Sequence, residues 1–177
     1  EAAVAQSLDE LWRRQLVREQ GAETYDFSHD KIRAAAYAEL SAIRRRLLHR
    51  KVAEALAAIY AADLNALCGQ IAHHYEIAGQ LELAIEFYQR AAATAQRTYA
   101  NDDAIGYYRH LVEPPFVTQL SPQVACEVLT ELSKVLSLAG QTEEAERGAR
   151  LALAQTQLLG ETRWRFQAQH TLGDVLR

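Results

Sequence analysis

The turn sequence AGQLELA at residues 78–84 recurs almost unchanged as AGQTEEA at residues 139–145. In both places a glycine closes one segment of helix-like apolar periodicity, and the next such segment begins directly after it. Glycine is the usual residue where a helix ends in a left-handed turn, and a short connection leaves successive helices antiparallel and adjacent. The sequence therefore predicts two hairpins, each made of two helices.

Small and large side chains around both turns follow the spacing of the tetratricopeptide repeat. In the first copy, small residues sit where the helices must approach and tyrosines fill the adjacent gaps: Ala72, Ala84, Ala91, Tyr75 and Tyr88. The second copy has the same offsets, with Leu132, Ser133, Leu136, Ala145, Ala149 and Ala152. A further repeat begins at Leu172 and Gly173. Between the two copies, residues 92–112 are predicted to form either a shorter pair or one long helix.

Composition favours the same fold class, because the chain has 32 Ala and 23 Leu against 16 Val and Ile together. Alanine and leucine lead the helix propensity ranking, whereas β-branched residues favour strands. We therefore expect an all-α protein, a tetratricopeptide-like α-α superhelix with a small N-terminal β-hairpin. The sequence has neither an apolar run of the length that spans a membrane nor the pattern of a signal peptide, so a cytoplasmic protein is expected.

The N-terminal part has a different pattern. Apolar residues recur every three or four positions over residues 2–15, which predicts an amphipathic helix. Residues 16–18 and 24–28 have strand-like composition around Gly21 and predict a β-hairpin. Ser28 is expected to cap the following helix, over residues 29–40, and a second helix is expected over residues 43–60 with an apolar stripe that includes Leu47, Val52 and Leu56.

Three segments resemble one family: YDFSHDKIRAAAYAEL (25–40), RRRLLHRKVAEAL (44–56) and IAHHYEIAGQLELAIEFYQRA (71–91). They are similar to the region after the nucleotide-binding domain in bacterial signal-transduction ATPases of the AAA/STAND class, including LuxR-type transcriptional activators. In that family a winged helix precedes tetratricopeptide-like repeats. The resemblance implies a sensor and scaffold segment of a larger regulatory ATPase, a transcriptional activator, whose upstream nucleotide-binding domain is one partner.

The resemblance and the repeats together divide the chain into five segments. Residues 1–28 would be the C-terminal part of a winged-helix module and residues 29–62 a linking helical pair. Residues 63–112 would carry the first repeats, closed by Pro114 and Pro115. Residues 113–122 would be a linker, and residues 123–177 further repeats that end truncated. None of the three lysines follows a glycine as a P-loop requires, so any ATPase activity is expected upstream of Glu1.

We predict no catalytic residue, cofactor or metal ion for this segment, and no enzymatic activity. His73 and His74 are adjacent on a helix, about 100° apart, and so do not converge on one metal. His29 and Asp30 are interpreted as the start of a helix. Cys68 and Cys126 lie in apolar helical patterns typical of core cysteines.

The candidate site is a partner-binding groove. The first helix of each repeat is expected to line one side of the superhelix, where its exposed side chains contact a protein, a peptide or a small effector. These residues are Gln70, His73, Glu76, Thr130, Glu131 and Lys134. No membrane partner is expected.

Two alternatives remain. Arg44, Arg45 and Arg46, followed by Arg50 and Lys51, are interpreted as the solvated face of a helix, and nucleic acid is disfavoured as a partner of this segment. A DNA-binding module built from the hairpin and these basic helices is one alternative. A free-standing repeat scaffold is the other.

Overall fold

The computed structural model describes residues 2–21, 24–159 and 162–176. This part of the chain contains nine α-helices and one two-stranded sheet, so the predicted all-α fold with a small β-hairpin is confirmed. It divides into two compact units, residues 1–45 and residues 46–177. The division falls inside the third helix. No helix of the described residues is both long and apolar enough to cross a membrane.

The first unit contains a helix, the hairpin and a second helix. Helix α1 is Ala2–Arg13, strand β1 is Val17–Glu19, strand β2 is Tyr25–Phe27 and helix α2 is Asp30–Ala38. The strands are antiparallel, with Val17 opposite Phe27. Of the described residues in this unit, only Val17 is buried. A unit this small cannot bury a large apolar core.

Ser28 does not cap α2, so that prediction is wrong. The N-cap residue is His29, and its side chain makes no capping hydrogen bond. The Ser28 hydroxyl instead donates to the carbonyl of Gln15 at 2.7 Å, and the Ser28 N–H donates to the carbonyl of Leu16 at 3.0 Å. Ser28 thus extends the pairing of the hairpin. Its hydroxyl bonds to Gln15 and not to the first turn of α2.

Helix α3, Ala42–Ile59, runs across the division between the units. The second unit continues with a short 3-10 helix, Ala61–Leu67, and then with the helices α4 (Cys68–Ala78), α5 (Leu81–Arg97), α6 (Asn101–Val112), α7 (Pro122–Leu138), α8 (Thr142–Leu159) and α9 (Thr162–Val175). The predicted apolar stripe of α3 is only partly buried. Leu56 packs against the core of the second unit, whereas Leu47 and Val52 are exposed.

Helices α4 to α9 alternate between two rows. Each helix packs against the next one in the chain, and α7 also packs against α9. Side chains join α4 to α6 through Glu76 and His110, α6 to α8 through Arg109 and Glu144, and α5 to α7 through Gln96 and Glu131. One row is therefore α4, α6 and α8, and the other is α5, α7 and α9.

Three of the turns between these helices share one hydrogen-bonding pattern. In the two predicted turns, Gly79 and Gly140 adopt φ angles of 77° and 75°, and the N–H after each glycine donates to the carbonyl five residues earlier, at 2.9 and 2.8 Å. The turn between α5 and α6 has the same bond, from Ala100 N–H to the Ala95 carbonyl at 2.9 Å. Here Tyr99 takes the left-handed position, with φ 59°. Residues 92–112 are therefore the end of α5 and all of α6, joined by a third equivalent turn.

The small residues predicted at helix contacts are buried in the three hairpins that share this turn. Ala84, Ala104 and Ala145, at equivalent positions in α5, α6 and α8, are each 0% exposed. Residues at the other repeat positions are also buried: Ala72, Ala91, Tyr75, Tyr88, Leu132, Ser133, Leu136, Ala149 and Ala152. The spacing seen in the sequence is therefore the spacing of the helix contacts.

Residues 113–122, predicted as a linker, fold back onto the core. The bond between Pro114 and Pro115 is cis, and a short 3-10 helix, Phe116–Thr118, follows. The side chain of Phe116 is fully buried, in edge contact with the ring of Tyr88. Ser121 then caps α7, because its hydroxyl accepts a hydrogen bond from the Val124 N–H, with Pro122 in the first turn.

The left-handed turns give a test of this architecture. Gly79→Ala and Gly140→Ala should each lower the free energy of unfolding by about 1 kcal/mol, because alanine disfavours positive φ. Gly106→Ala is the matched control: Gly106 lies inside α6 with open space where a Cβ would project, so it should be neutral or stabilising. Urea denaturation measures all three. Equal effects at the three positions would contradict the turn assignment.

Candidate partner-binding groove

A chain of polar contacts links α6, α5 and α7. The Tyr108 hydroxyl donates to Gln96 Oε1 at 3.2 Å, and Gln96 Nε2 donates to Glu131 Oε2 at 3.2 Å. The other carboxylate oxygen of Glu131 accepts a hydrogen bond from Lys134 Nζ at 2.7 Å. Burial, with the negative charges of Glu131 and Glu127, raises the pKa of Tyr108, so the hydroxyl stays protonated and remains a donor. Lys134 is thereby held at the edge of α7 that faces α9.

Lys134 lines a groove between α7 and α9, which we call the α7–α9 groove. One part of it, of about 310 Å³, is lined by Lys134 together with Arg163, Phe166, Gln167, His170 and Thr171. The other part, of about 220 Å³, shares Lys134 and Thr171 and adds Ser137, Leu138, Asp174 and Val175. Lys134 and Thr171 line both parts, and the α9 residues that line the groove run from Arg163 to Val175.

The α7–α9 groove combines cations with exposed apolar side chains. Phe166 is 69% exposed and Leu138 is 74% exposed. Arg163 places its guanidinium 5.8 Å from the ring centre of Trp164. His170 lies nearer the other end, with Nδ1 2.8 Å from Asp174 Oδ2. Arg163 lines only the first part of the groove and Asp174 only the second, so the end near Arg163 is the more positive one.

A second polar cluster lies in the other row, around Glu76 of α4. The Tyr88 hydroxyl donates to Glu76 Oε2 at 2.7 Å, His110 Nε2 lies 3.1 Å from the same oxygen, and His73 Nδ1 lies 3.8 Å from it. Burial acts to raise the pKa of Glu76, but the hydrogen bonds from Tyr88 and His110 outweigh it and hold that pKa below the ordinary value. Glu76 of α4 is thus a charged residue that links α4 to α5 and α6.

The structure does not bring the six predicted groove residues together. Gln70, His73 and Glu76 lie on α4, whereas Thr130, Glu131 and Lys134 lie on α7, in the other row. Thr130 is 1% exposed, so its predicted exposure is wrong: its hydroxyl donates to the Cys126 carbonyl within the helix. Only Lys134 of the six lines the α7–α9 groove, and Glu131 supports it. Gln70 and His73 are exposed on α4.

Sequence reasoning missed the α9 side of the groove. Arg163, Phe166 and His170 recur at spacings of three and four, which places them on one helical face. That periodicity was available in the sequence. The pairing of this face with Lys134 was not, because it depends on which helices share a row.

The remaining histidines and the cysteines occupy structural positions. His49 Nδ1 and His74 Nδ1 lie 2.8 Å apart between α3 and α4, and burial lowers the pKa of both rings. No three His, Cys, Asp or Glu side chains in the described parts of the chain are placed to hold a metal ion. Cys68 and Cys126 are buried free thiols, and burial raises the pKa of each.

The basic run near the start of α3 is largely exposed. Arg44, Arg46 and Lys51 face solvent, and Arg50 pairs with Glu54 one turn later at 3.5 Å. Arg45 instead places its guanidinium 5.3 Å from the ring centre of Tyr37. This arrangement fits a solvated helix face.

Comparison with protein-family models and with curated proteins finds no match for this chain.

The Glu76 cluster predicts a pH-dependent stability. The pKa of Glu76 is depressed in the folded state. Its contribution to the free energy of unfolding is therefore present above the ordinary glutamate pKa and is lost as the pH falls through the lowered pKa. Glu76→Gln should therefore lower the free energy of unfolding at pH 7 by about 1–2 kcal/mol. Its difference from the wild type should shrink below about pH 4.

Glu127→Gln is the matched control, an exposed carboxylate on α7, and should change stability by less than about 0.5 kcal/mol. Urea titrations at several pH values provide the measurement. A Glu76→Gln deficit that is the same at pH 7 and at pH 3.5 would show that the lost interaction is not ionic.

The two thiols predict slow labelling of the folded protein. A thiolate is the reactive form, and both burial and a raised pKa suppress it at Cys68 and Cys126. Ellman's reagent should modify neither cysteine rapidly in buffer and both rapidly in concentrated guanidinium. Fast modification of one thiol in the folded protein would instead identify an accessible, activated cysteine.

Proposed function

We propose that this chain is a non-catalytic segment that binds a protein or peptide through the α7–α9 groove, within a larger cytoplasmic regulatory ATPase of the transcriptional activator kind. The observation that carries the proposal is the groove itself. It pairs two cations, Lys134 and Arg163, with the exposed ring of Phe166 between two helices of the same row. A small effector is the other class of ligand that such a segment could sense.

The groove favours a peptide with an acidic residue beside an apolar one. A carboxylate near Lys134 and Arg163 would gain charge-assisted hydrogen bonds, and an apolar side chain would cover Phe166. The groove is open and long, and its two parts differ in charge. An extended or helical peptide segment fits this shape better than a compact ion does, because a peptide contacts both parts at once.

The ATPase part of the proposal rests on the resemblance of residues 25–56 and 71–91 to the region after the nucleotide-binding domain of the AAA/STAND class. In this scheme residues 1–28 complete a winged helix and the helices from α4 onward are tetratricopeptide-like. A partner that binds one arrangement of the repeats better than another would bias nucleotide-driven assembly by that difference in affinity. A reading frame without a P-loop before Glu1 would contradict this part.

The binding part is tested with a phage library of random dodecapeptides panned on the wild-type chain. We expect enriched peptides that carry an acidic residue next to an aromatic or aliphatic one. Their affinity for Lys134→Ala and for Arg163→Ala should each fall about tenfold, which corresponds to about 1.4 kcal/mol. Fluorescence polarisation of labelled peptides measures the change.

Lys51→Ala is the matched control, since it removes an exposed lysine on α3, and it should leave the affinity unchanged. A library that yields no binders, or peptides that bind Lys134→Ala and Arg163→Ala as tightly as the wild type, would overturn the groove assignment.

A further inference from the structure

We propose that a second site, a cleft where α6 is joined to α7, binds an uncharged, mostly apolar small molecule. The cleft has a volume of about 300 Å³. Its walls include Val112 of α6, Val117 and Leu120 of the connection, Leu129 of α7, and Leu151 and Gln155 of α8. It shares no lining residue with the α7–α9 groove, so it goes beyond the proposed function.

The chemistry of the walls selects a neutral ligand. Among the described residues, no charged side chain lines the cleft, and Gln155 is the one lining residue with a polar side chain. A phosphate, a carboxylate or an ammonium group would lose hydration there without gaining an opposite charge. The Gln155 amide can both donate and accept, so the ligand class is an apolar body with a single hydroxyl, carbonyl or amine group.

The size of the cleft limits the ligand to a compact molecule. A volume of about 300 Å³ is at the lower end of the range for small-molecule sites. It is also about twice the size of an engineered apolar cavity that holds one benzene ring. One to three fused rings, or a short branched chain, would fill it.

Apolar surface at the mouth of the cleft supports a bound ligand. Leu151 is 57% exposed and Val117 is 43% exposed. Both side chains line the cleft, so a molecule bound there could cover their apolar atoms. A ligand that reaches both residues would remove that surface from water, which is the main source of affinity for an apolar molecule.

The position of the cleft gives binding a structural consequence. Its walls come from α6, from the connection after it, and from both helices of the next hairpin. A ligand seated there contacts α6 on one side and α7 and α8 on the other, and so braces the joint at which the regular alternation of helices is interrupted by residues 113–121. Binding to the folded state should raise stability by mass action.

The test uses 1-aminoanthracene, a neutral fluorescent three-ring amine, as the probe. We expect saturable fluorescence enhancement with the wild-type chain and an increase in its melting temperature. The anion anthracene-1-carboxylate should bind at least tenfold more weakly. Gln155→Leu should weaken binding of the amine severalfold, because the partner for its single polar group is lost.

Two variants obstruct the cleft. Ala125→Phe, on α7, fills it from within and should abolish probe binding. Leu151→Glu places a charge at the mouth of the cleft and should weaken binding at least tenfold. Leu151 is 57% exposed, so this change should not prevent folding. Leu176→Glu is the matched control, because Leu176 is 58% exposed and is not among the residues that line this cleft or the α7–α9 groove, and it should leave binding unchanged.

Three results would overturn the proposal: no saturable binding of the amine, equal binding of the anthracene anion, or undiminished binding by Leu151→Glu. Because no variant here touches Lys134 or Arg163, the peptide measurements remain independent, and either site can fail without the other.

Discussion

The close approach of antiparallel helices is the constraint on which the second unit depends. Two helices can pack this closely only where small side chains meet, and Ala84, Ala104 and Ala145 occupy the same position in the three hairpins that share the left-handed turn, each without exposed surface. A larger residue there would push the helices apart and open the core on both sides, since interiors are close-packed. The alanine content of the chain is therefore a packing requirement as well as a helix preference.

The turns show how much of the fold could be predicted from sequence. Gly79 and Gly140 marked two hairpins because glycine adopts a left-handed φ at little cost. The hairpin of α5 with α6 has no such glycine, because Tyr99 stands at the equivalent place. The hydrogen bond from Ala100 to Ala95 forms there all the same, with tyrosine at positive φ. The bond defines the turn, and glycine is only its commonest residue.

The candidate site could be predicted less well, for a geometric reason. The two matched turns identify helix pairs, but α4 and α7 are separated by two further helices, and each step along the chain changes the row. An odd number of steps therefore places Glu76 and Lys134 in different rows. Local spacing carries no information on this alternation, because α5 serves as the second helix of one hairpin and the first helix of the next.

The equivalence of the hairpins also explains why a groove opens at α7. In the first hairpin the Tyr88 hydroxyl reaches Glu76, and in the second the Tyr108 hydroxyl reaches Gln96, in each case twelve residues earlier. In the hairpin of α7 with α8 these positions are Ala149 and Ser137. Alanine has no hydroxyl to donate, so Ser137 is not engaged in this way and instead lines the α7–α9 groove. Glu76 and Gln96 each link the two helices of their hairpin, whereas Ser137, at the same position in the hairpin of α7 with α8, is available to a ligand.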